Sequence, residues 1–118
     1  MIDVISPGNE KLESTITHMR SAPDISVLVY CYNFAPYIKE CIESILRQSL
    51  SPKEICVYDD CSSDQSWEII TALSRQYPNR LTIHRHQQNI GMTKNGNWGM
   101  QRAKCNWVSW RDFQQKND

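Results

Sequence analysis

The stretch EICVYDDCSSD, residues 54–64, decides the fold of this 118-residue chain. It opens with an apolar run that is typical of a strand covered on both faces of a sheet. The strand ends in two carboxylates, Asp59 and Asp60, and a polar turn follows, from which Ser63 or Asp64 can cap a helix. A buried strand that leads through a short turn into a capped helix indicates one unit of an α/β sheet.

The same alternation of strand and helix continues on both sides of this stretch. Strands are predicted, from apolar or alternating runs, at residues 25–30, 54–58, 81–84 and 107–110. Apolar side chains spaced three and four apart predict a helix at residues 36–48 and a second one that carries Trp67, Ile70, Leu73 and Tyr77 and ends before Pro78. A third helix is predicted at residues 92–104. This order implies an α/β fold with a mainly parallel sheet of about four strands, flanking helices and right-handed crossovers.

Three segments are expected from this pattern: a peripheral N-terminal segment at residues 1–23, a domain at residues 24–110 and a polar tail at residues 111–118. In the first segment, Leu12, Ile16 and Met19 are spaced four and three apart and predict a short helix. A single compact domain is therefore the expected organisation.

The composition excludes some classes of function. The chain carries 13 basic and 13 acidic residues, so it has no broad positive field with which to hold nucleic acid. No apolar run approaches the roughly 20 residues that span a bilayer, and the first residues lack the pattern of a signal peptide. The five cysteines are odd in number and form no Cys-x-x-Cys pair, which favours reduced thiols. A cytoplasmic protein is expected.

Polar side chains from three loops are expected to meet at the carboxyl edge of the sheet. Tyr32 follows the first predicted strand, Asp59 and Asp60 close the second, and Asn89 and Gly91 follow the third. Two carboxylates at the end of an apolar strand destabilise each other unless a donor or a cation satisfies them. Either one of them accepts from a uracil ring N–H or a ribose hydroxyl while the other fixes the loop by accepting backbone N–H bonds, or both only cap the turn. The residues alone leave both alternatives open.

The neighbouring candidates also allow two interpretations each. Tyr32 can stack on a base or cover the core, and residues 89–91 can approach a phosphate or form an ordinary turn, the latter being favoured. His84 and His86 share one face of a strand, so a zinc site with a nearby cysteine is conceivable. A solvent-facing pair is the favoured interpretation of these histidines.

Four blocks of the sequence resemble the family 2 glycosyltransferases, one of them being the helix after the first strand, with Tyr37, Ile38, residues 41–46 and Gln48. ISVLVYCYN at residues 25–33 is similar to that family's first strand and its Tyr-Asn signature. Residues 54–64 resemble its Val-Asp-Asp-Gly-Ser-Ser-Asp block, with Cys61 in place of the glycine. Residues 89–99 resemble its Asn-x-Gly and Arg-Asn-x-Gly segment, with Gly96 where an arginine is usual. Blocks in this order and spacing are more specific than any one motif.

The resemblance covers residues 24–110 and implies the N-terminal, nucleotide-sugar-binding half of a Rossmann-like domain of the GT-A type. The implied activity is inverting transfer from a nucleotide-diphosphate sugar, a UDP-sugar, to a hydroxyl of a saccharide, lipid or protein acceptor, in the cytoplasm or at the inner face of a membrane. By the same resemblance, the base is held by Tyr32 and Asp60, the loop is supported by Asp59, and the ribose and diphosphate lie near Asn89, Gly91 and Asn97.

A divalent cation, manganese or magnesium, is also implied by the resemblance. The family places an Asp-x-Asp motif just after the fourth strand, where residues 111–115 of this chain read RDFQQ and leave Asp112 as the metal ligand. The family's catalytic base lies in a later segment, which this chain does not contain. An incomplete sheet has an exposed edge, so a homo-oligomer is expected.

Two further functions compete with a nucleotide-sugar-dependent enzyme. A non-catalytic nucleotide- or partner-binding module with the same fold is consistent with the lone Asp112. A receiver-type signalling domain also carries acidic residues at strand ends, but its acidic pair is expected after the first strand, where Tyr32 and Asn33 stand instead. The signalling alternative therefore fits the sequence less well.

Overall fold

The computed structural model describes residues 3–5 and 24–114, so the helix predicted around Leu12, Ile16 and Met19 lies outside the described residues. The strands of the described part are β1 (Asp3–Ile5), β2 (Ile25–Tyr32), β3 (Glu54–Asp59), β4 (Thr82–Arg85) and β5 (Trp107–Gln114). Its helices are α1 (Ala35–Leu46), α2 (Ser66–Gln76) and α3 (Met92–Arg102). None of these helices is long and apolar enough to cross a membrane.

The strands form one sheet in the order β1-β5-β2-β3-β4. Strands β5, β2, β3 and β4 are parallel, and β1 pairs antiparallel with β5. The predicted α/β fold with four parallel strands is therefore confirmed. The antiparallel β1 was not predicted, because a three-residue strand is too short to show an alternating pattern.

The last strand continues beyond its predicted end at residue 110. β5 pairs with β2 as far as Gln114, so residues 111–114 of the expected polar tail belong to the sheet. Phe113 explains part of this extension, because its ring packs against the core and stacks on Phe34 with a centroid distance of 5.5 Å. The prediction of a tail that begins at residue 111 is wrong for these four residues.

The sheet has a buried core on each face. One core lies against α1 and α2 and includes Val27, Val29 and Cys31 of β2. The other lies on the α3 side and includes Leu28 and Tyr30 of the same strand. Because successive side chains of a strand point to opposite faces, a strand covered on both faces is apolar throughout, as the sequence pattern of β2 indicated.

The histidine pair does not face solvent, contrary to the favoured interpretation. His86 is buried, with its Nε2 atom 2.8 Å from Oδ1 of Asn95, and the His84 ring stacks on Trp98 at a centroid distance of 4.3 Å. Burial, followed by the charges of His86 and Arg102, lowers the pKa of His84. The reason is tertiary: α3 supplies the asparagine and the indole that cover this end of β4. Among the described residues, neither His84 nor His86 belongs to a group of three His, Cys, Asp or Glu side chains that could hold a metal ion.

Candidate functional site

The loops that follow β2 and β3 are joined into one unit at the carboxyl edge of the sheet. The side-chain oxygen of Asn33 accepts hydrogen bonds from the backbone N–H of Ser63 (2.8 Å) and Asp64 (3.3 Å) and from the Ser63 hydroxyl (3.2 Å). In return, the Asn33 backbone N–H donates to the Ser62 hydroxyl at 2.9 Å. Asn33 belongs to the quoted Tyr-Asn signature, but it is not among the residues predicted for the site.

Asp59 is fully buried and is satisfied by the turn that follows it. Its two carboxylate oxygens accept the backbone N–H of Ser62 at 2.9 Å and the Ser62 hydroxyl at 2.5 Å. The Arg85 guanidinium of β4 lies 3.7 Å from the same carboxylate. Asp59 therefore supports the loop between β3 and α2 and ties it to the neighbouring strand.

Asp60 is also buried, but its carboxylate reaches a different loop. Its oxygens accept the backbone N–H of Ile90 at 2.8 Å and of Gly91 at 3.0 Å, and its carbonyl oxygen accepts the Asn89 side-chain amide at 3.3 Å. The structure thus brings together Asp60, Asn89 and Gly91, as the position of their loops predicted. It also shows that Asp60 does not cap the turn into α2. Its contact with a base stays a prediction.

Asp64 lies between the N-termini of two helices. One carboxylate oxygen accepts the backbone N–H of Ala35, the first residue of α1, at 3.1 Å, and the other accepts that of Ser66, the first residue of α2, at 2.9 Å. Partial burial works to raise the pKa of this carboxyl, but the hydrogen bonds from Ser66 and Ala35 outweigh it and hold the pKa below its ordinary value. The expected cap is thus shared by α1 and α2.

A cavity of about 240 Å³ lies beside these loops and is called the α3–β5 cavity here. Its lining comes from β2, α3 and β5 and consists of Tyr30, Met92, Gly96, Asn97, Met100, Trp110 and Asp112. The structure therefore brings Asn97 and Asp112 together in one place. Tyr32 is half-buried at the end of β2, where it is level with Gln114, and does not line this cavity.

Tyr30 lines the cavity but is not among the residues predicted for the site. Its hydroxyl donates to the carbonyl oxygen of Gly96 at 3.0 Å. Burial, with smaller contributions from Cys56 and Asp112, raises the pKa of Tyr30 to about 12, so the phenol stays protonated at neutral pH. The strand pattern identified Tyr30 as buried, but only the position of α3 shows which helix its hydroxyl meets.

A larger groove of about 580 Å³ lies at the opposite, amino edge of the sheet, where Asp24, Lys53 and Thr82 contribute to its lining. In an open parallel sheet, ligands bind beyond the carboxyl ends of the strands, where loops and helix N-termini converge. The smaller cavity and the joined loops are at that edge, so they form the better candidate site.

Comparison with known proteins identifies the family. The sequence profile described as Glycosyl transferase family 2 matches residues 26–112. The chain belongs to this family. The predicted resemblance and the GT-A type of fold are therefore confirmed.

Relatives of known sequence agree with this assignment to family 2. The chain is 36% identical over 90 residues to the uncharacterized glycosyltransferase EpsJ of Bacillus subtilis (strain 168), a match that covers 76% of this chain and 26% of EpsJ. It is 31% identical over 86 residues to a chondroitin synthase of Escherichia coli, covering 73% of this chain and 12% of that protein. The chain thus spans about a quarter or less of the length of these relatives.

Solved structures resemble the fold of this family 2 chain. S. aureus TarS 1-349 in complex with UDP-GlcNAc matches with a TM-score of 0.65 and 32% identity, covering 75% of this chain and 26% of that one. The mannosyltransferase PcManGT from Pyrobaculum calidifontis, in complex with GDP-Man and Mn²⁺, matches with a TM-score of 0.70 and 26% identity, covering 79% and 28%. Both similar structures hold a nucleotide-sugar.

The described residues of this family 2 chain do not fit a divalent cation held by paired carboxylates. Asp112 is the one carboxylate that lines the α3–β5 cavity, and Asn97 adds a neutral amide. The described part of the chain contains no group of three His, Cys, Asp or Glu side chains that could hold a metal ion. Hard cations such as Mg²⁺ are bound through carboxylates, carbonyls and water, whereas most of this lining is aromatic or thioether.

Proposed function

We propose that this chain binds a nucleotide-diphosphate sugar, a UDP-sugar, as the donor-binding part of an inverting glycosyltransferase that acts on an acceptor hydroxyl. The observation that carries the proposal is the contact of the Asp60 carboxylate with the backbone N–H groups of Ile90 and Gly91. This contact holds the loop before α3 against the end of β3, at the edge where parallel sheets bind nucleotides.

Three loops contribute to the proposed nucleotide-sugar site. Asn33 and Asp59 hold the loops after β2 and β3 in place, so that Tyr32 is presented at the end of its strand. Gly91 precedes α3 without a side-chain cap, which leaves the first backbone N–H groups of that helix available to a phosphate. In this arrangement the base lies at Tyr32, and the ribose and diphosphate lie near Asn89, Gly91 and Asn97.

UDP is preferred to GDP in this proposal because of the comparisons. TarS, which was solved with UDP and with UDP-GlcNAc, shares 32% identity with this chain, against 26% for PcManGT with GDP-Man. The catalytic base and the acceptor site are not assigned to any described residue. The proposed location is the cytoplasm or the inner face of a membrane.

Calorimetric titration with UDP tests the proposed binding. We expect UDP to bind more tightly than GDP, and Tyr32→Ala to weaken UDP binding roughly 5- to 150-fold, because stacking on a base contributes about 1–3 kcal/mol. Tyr32→Phe keeps the ring and should bind nearly as well as the unchanged protein. Glu40→Gln, at an exposed position of α1, is the matched control. A folded protein that binds no UDP would contradict the proposal.

A second candidate function is a non-catalytic module that keeps the nucleotide site and serves to bind a partner. It is favoured by the α3–β5 cavity, in whose described lining Asp112 is the one carboxylate, whereas the family's motif has two. Release of free sugar from UDP-GlcNAc in the presence of the chain distinguishes the two candidates. If the chain hydrolyses UDP-GlcNAc above background and Asp112→Asn abolishes this hydrolysis, the chain is an enzyme. If the chain binds UDP but does not hydrolyse UDP-GlcNAc, the non-catalytic module is supported.

A further inference from the structure

The α3–β5 cavity is built mainly from groups that do not bind hard cations. Met92 and Met100 present thioethers, Trp110 presents an indole, and Gly96 leaves the wall without a side chain. A Cβ atom added at Gly96 would have no heavy atom within 4 Å, so the space there is open. Most of the lining therefore offers neither charge nor oxygen.

Three side chains bring oxygen atoms to the cavity, and they differ in what they can do. Asp112 supplies a carboxylate and Asn97 an amide oxygen. The Tyr30 hydroxyl is a donor to the Gly96 carbonyl and keeps its proton at neutral pH, so it is not an anionic ligand. A cation would therefore meet a single negative group from the described lining.

This donor set is poor for Mn²⁺ or Mg²⁺. Mg²⁺ demands near-octahedral coordination by oxygen and keeps several of its waters, which themselves need hydrogen-bond partners. Met92, Met100 and Trp110 share the described lining with Asp112, and thioether and indole side chains are poor partners for such waters. Thioether ligands favour soft metals, and not the hard cations that bridge a diphosphate.

We propose that this chain binds its nucleotide-sugar without a bridging divalent cation. The inference rests on the proposed nucleotide-sugar binding, but it concerns a different property of the same site. The single carboxylate and the largely apolar side chains of the described lining are its physical basis. They suit an uncharged part of the ligand in the α3–β5 cavity better than a metal-bound diphosphate.

The first test measures metal and nucleotide binding separately. Electron paramagnetic resonance of Mn²⁺ added to the protein alone should show free Mn²⁺ up to millimolar concentrations. Calorimetry should give a UDP dissociation constant that differs less than about twofold between excess Mn²⁺ and EDTA. UDP affinity that rises tenfold or more with Mn²⁺, or bound Mn²⁺ that is lost in Asp112→Asn, would overturn the proposal.

The second test adds a second carboxylate to the described lining of the cavity. Asn97→Asp places a second acid in the lining, and Gln101→Asp makes a similar charge change at an exposed position of α3 outside it. We expect Asn97→Asp to bind Mn²⁺ at least tenfold more tightly than Gln101→Asp. If the two variants bind Mn²⁺ equally, the missing carboxylate does not keep the metal out, and the proposal fails.

The two proposals fail in different ways. A protein that binds no UDP with Mn²⁺ or with EDTA contradicts the proposed function. The resonance measurements need no nucleotide, so they still decide whether the cavity takes a divalent cation. Circular dichroism of each variant confirms that its helices are intact before the comparison is made.

Discussion

At the scale of single residues, the site shows how a protein keeps two adjacent carboxylates buried. Asp59 is satisfied by the Ser62 backbone and hydroxyl, and Asp60 by backbone N–H groups of another loop. Each acid thus has two hydrogen-bond donors of its own, which offsets the cost of removing it from water. Both acids position loops, whatever else they bind.

Cys61 is a residue whose backbone suits glycine. Its φ angle is 58°, in the left-handed region, which costs an L-residue about 1–2 kcal/mol. We expect Cys61→Gly to raise the free energy of unfolding by about 0.5–1 kcal/mol. The gain is smaller than the backbone cost because glycine also increases the conformational entropy of the unfolded chain. Urea denaturation measures this change.

The control for this prediction is Cys61→Ala. It removes the weak contact between the Cys61 thiol and the Gln87 carbonyl, 3.7 Å apart, but keeps a Cβ atom in the left-handed region. No gain in stability is expected from it. A gain as large as that of glycine would show that the thiol, and not the backbone angle, is unfavourable.

At the scale of secondary-structure elements, the site is shaped by the N-termini of α1 and α2 and by the close packing of α3 on the sheet. Asp64 joins the N-termini of α1 and α2, so the two loops beside it cannot move independently. On the other face, α3 approaches the sheet closely at Gly99, and its Asn95 reaches His86 next to β4. The hydrogen bonds of Asp64 therefore hold α1 and α2 together, and the contacts at Gly99 and Asn95 hold α3 against the sheet.

Asp64→Asn should destabilise the protein in a pH-dependent way. The folded-state pKa of Asp64 lies below its ordinary value of 3.8, so the charged form contributes stability above that pH. This contribution is lost as the pH falls through the folded-state pKa. We expect Asp64→Asn to cost about 1 kcal/mol at pH 7 and progressively less below about pH 4. Denaturant unfolding at several pH values, with Glu40→Gln as the control, checks this. A pH-independent difference would contradict it.

Gly99→Ala tests the close approach of α3. A Cβ atom at this position would lie 2.6 Å from the Tyr30 hydroxyl and 2.7 Å from the Tyr58 ring, closer than packed atoms allow. We expect a loss of about 1–3 kcal/mol in the free energy of unfolding. Gly96→Ala on the same helix meets nothing within 4 Å and should instead gain up to about 1 kcal/mol. Equal effects of the two substitutions would rule out the steric explanation.

At the scale of the whole molecule, the sheet formed by the described residues ends in two edge strands, β1 and β4. β4 has four residues and pairs on one side with β3, and β1 has three and pairs with β5. An edge strand presents unpaired N–H and C=O groups that can pair with a second chain. The chain also spans only about a quarter of the length of EpsJ and of TarS 1-349.

Self-association through β4 is the prediction at this scale. We expect the molar mass from light scattering to rise above that of the 13.8 kDa monomer as concentration increases. Thr82→Lys adds a charge at an exposed position of β4 and should lower the apparent association, whereas Thr82→Ser should not. A monomer at every concentration would show that the edges do not pair.

The sequence by itself determined the order of β2 to β5 and of the three helices along the chain, the parallel pairing of these strands and the carboxyl edge at which polar residues meet. These follow from side-chain periodicity, which acts over short distances along the chain. Only the tertiary structure decided that Asp60 binds the loop of residues 90 and 91, that His86 is buried under Asn95, and that residues 111–114 extend β5. Each of these depends on a partner distant in sequence, whose position the local pattern does not encode. The EICVYDDCSSD stretch thus specified its own strand, while its contacts with Asn33 and Gly91 required the folded chain.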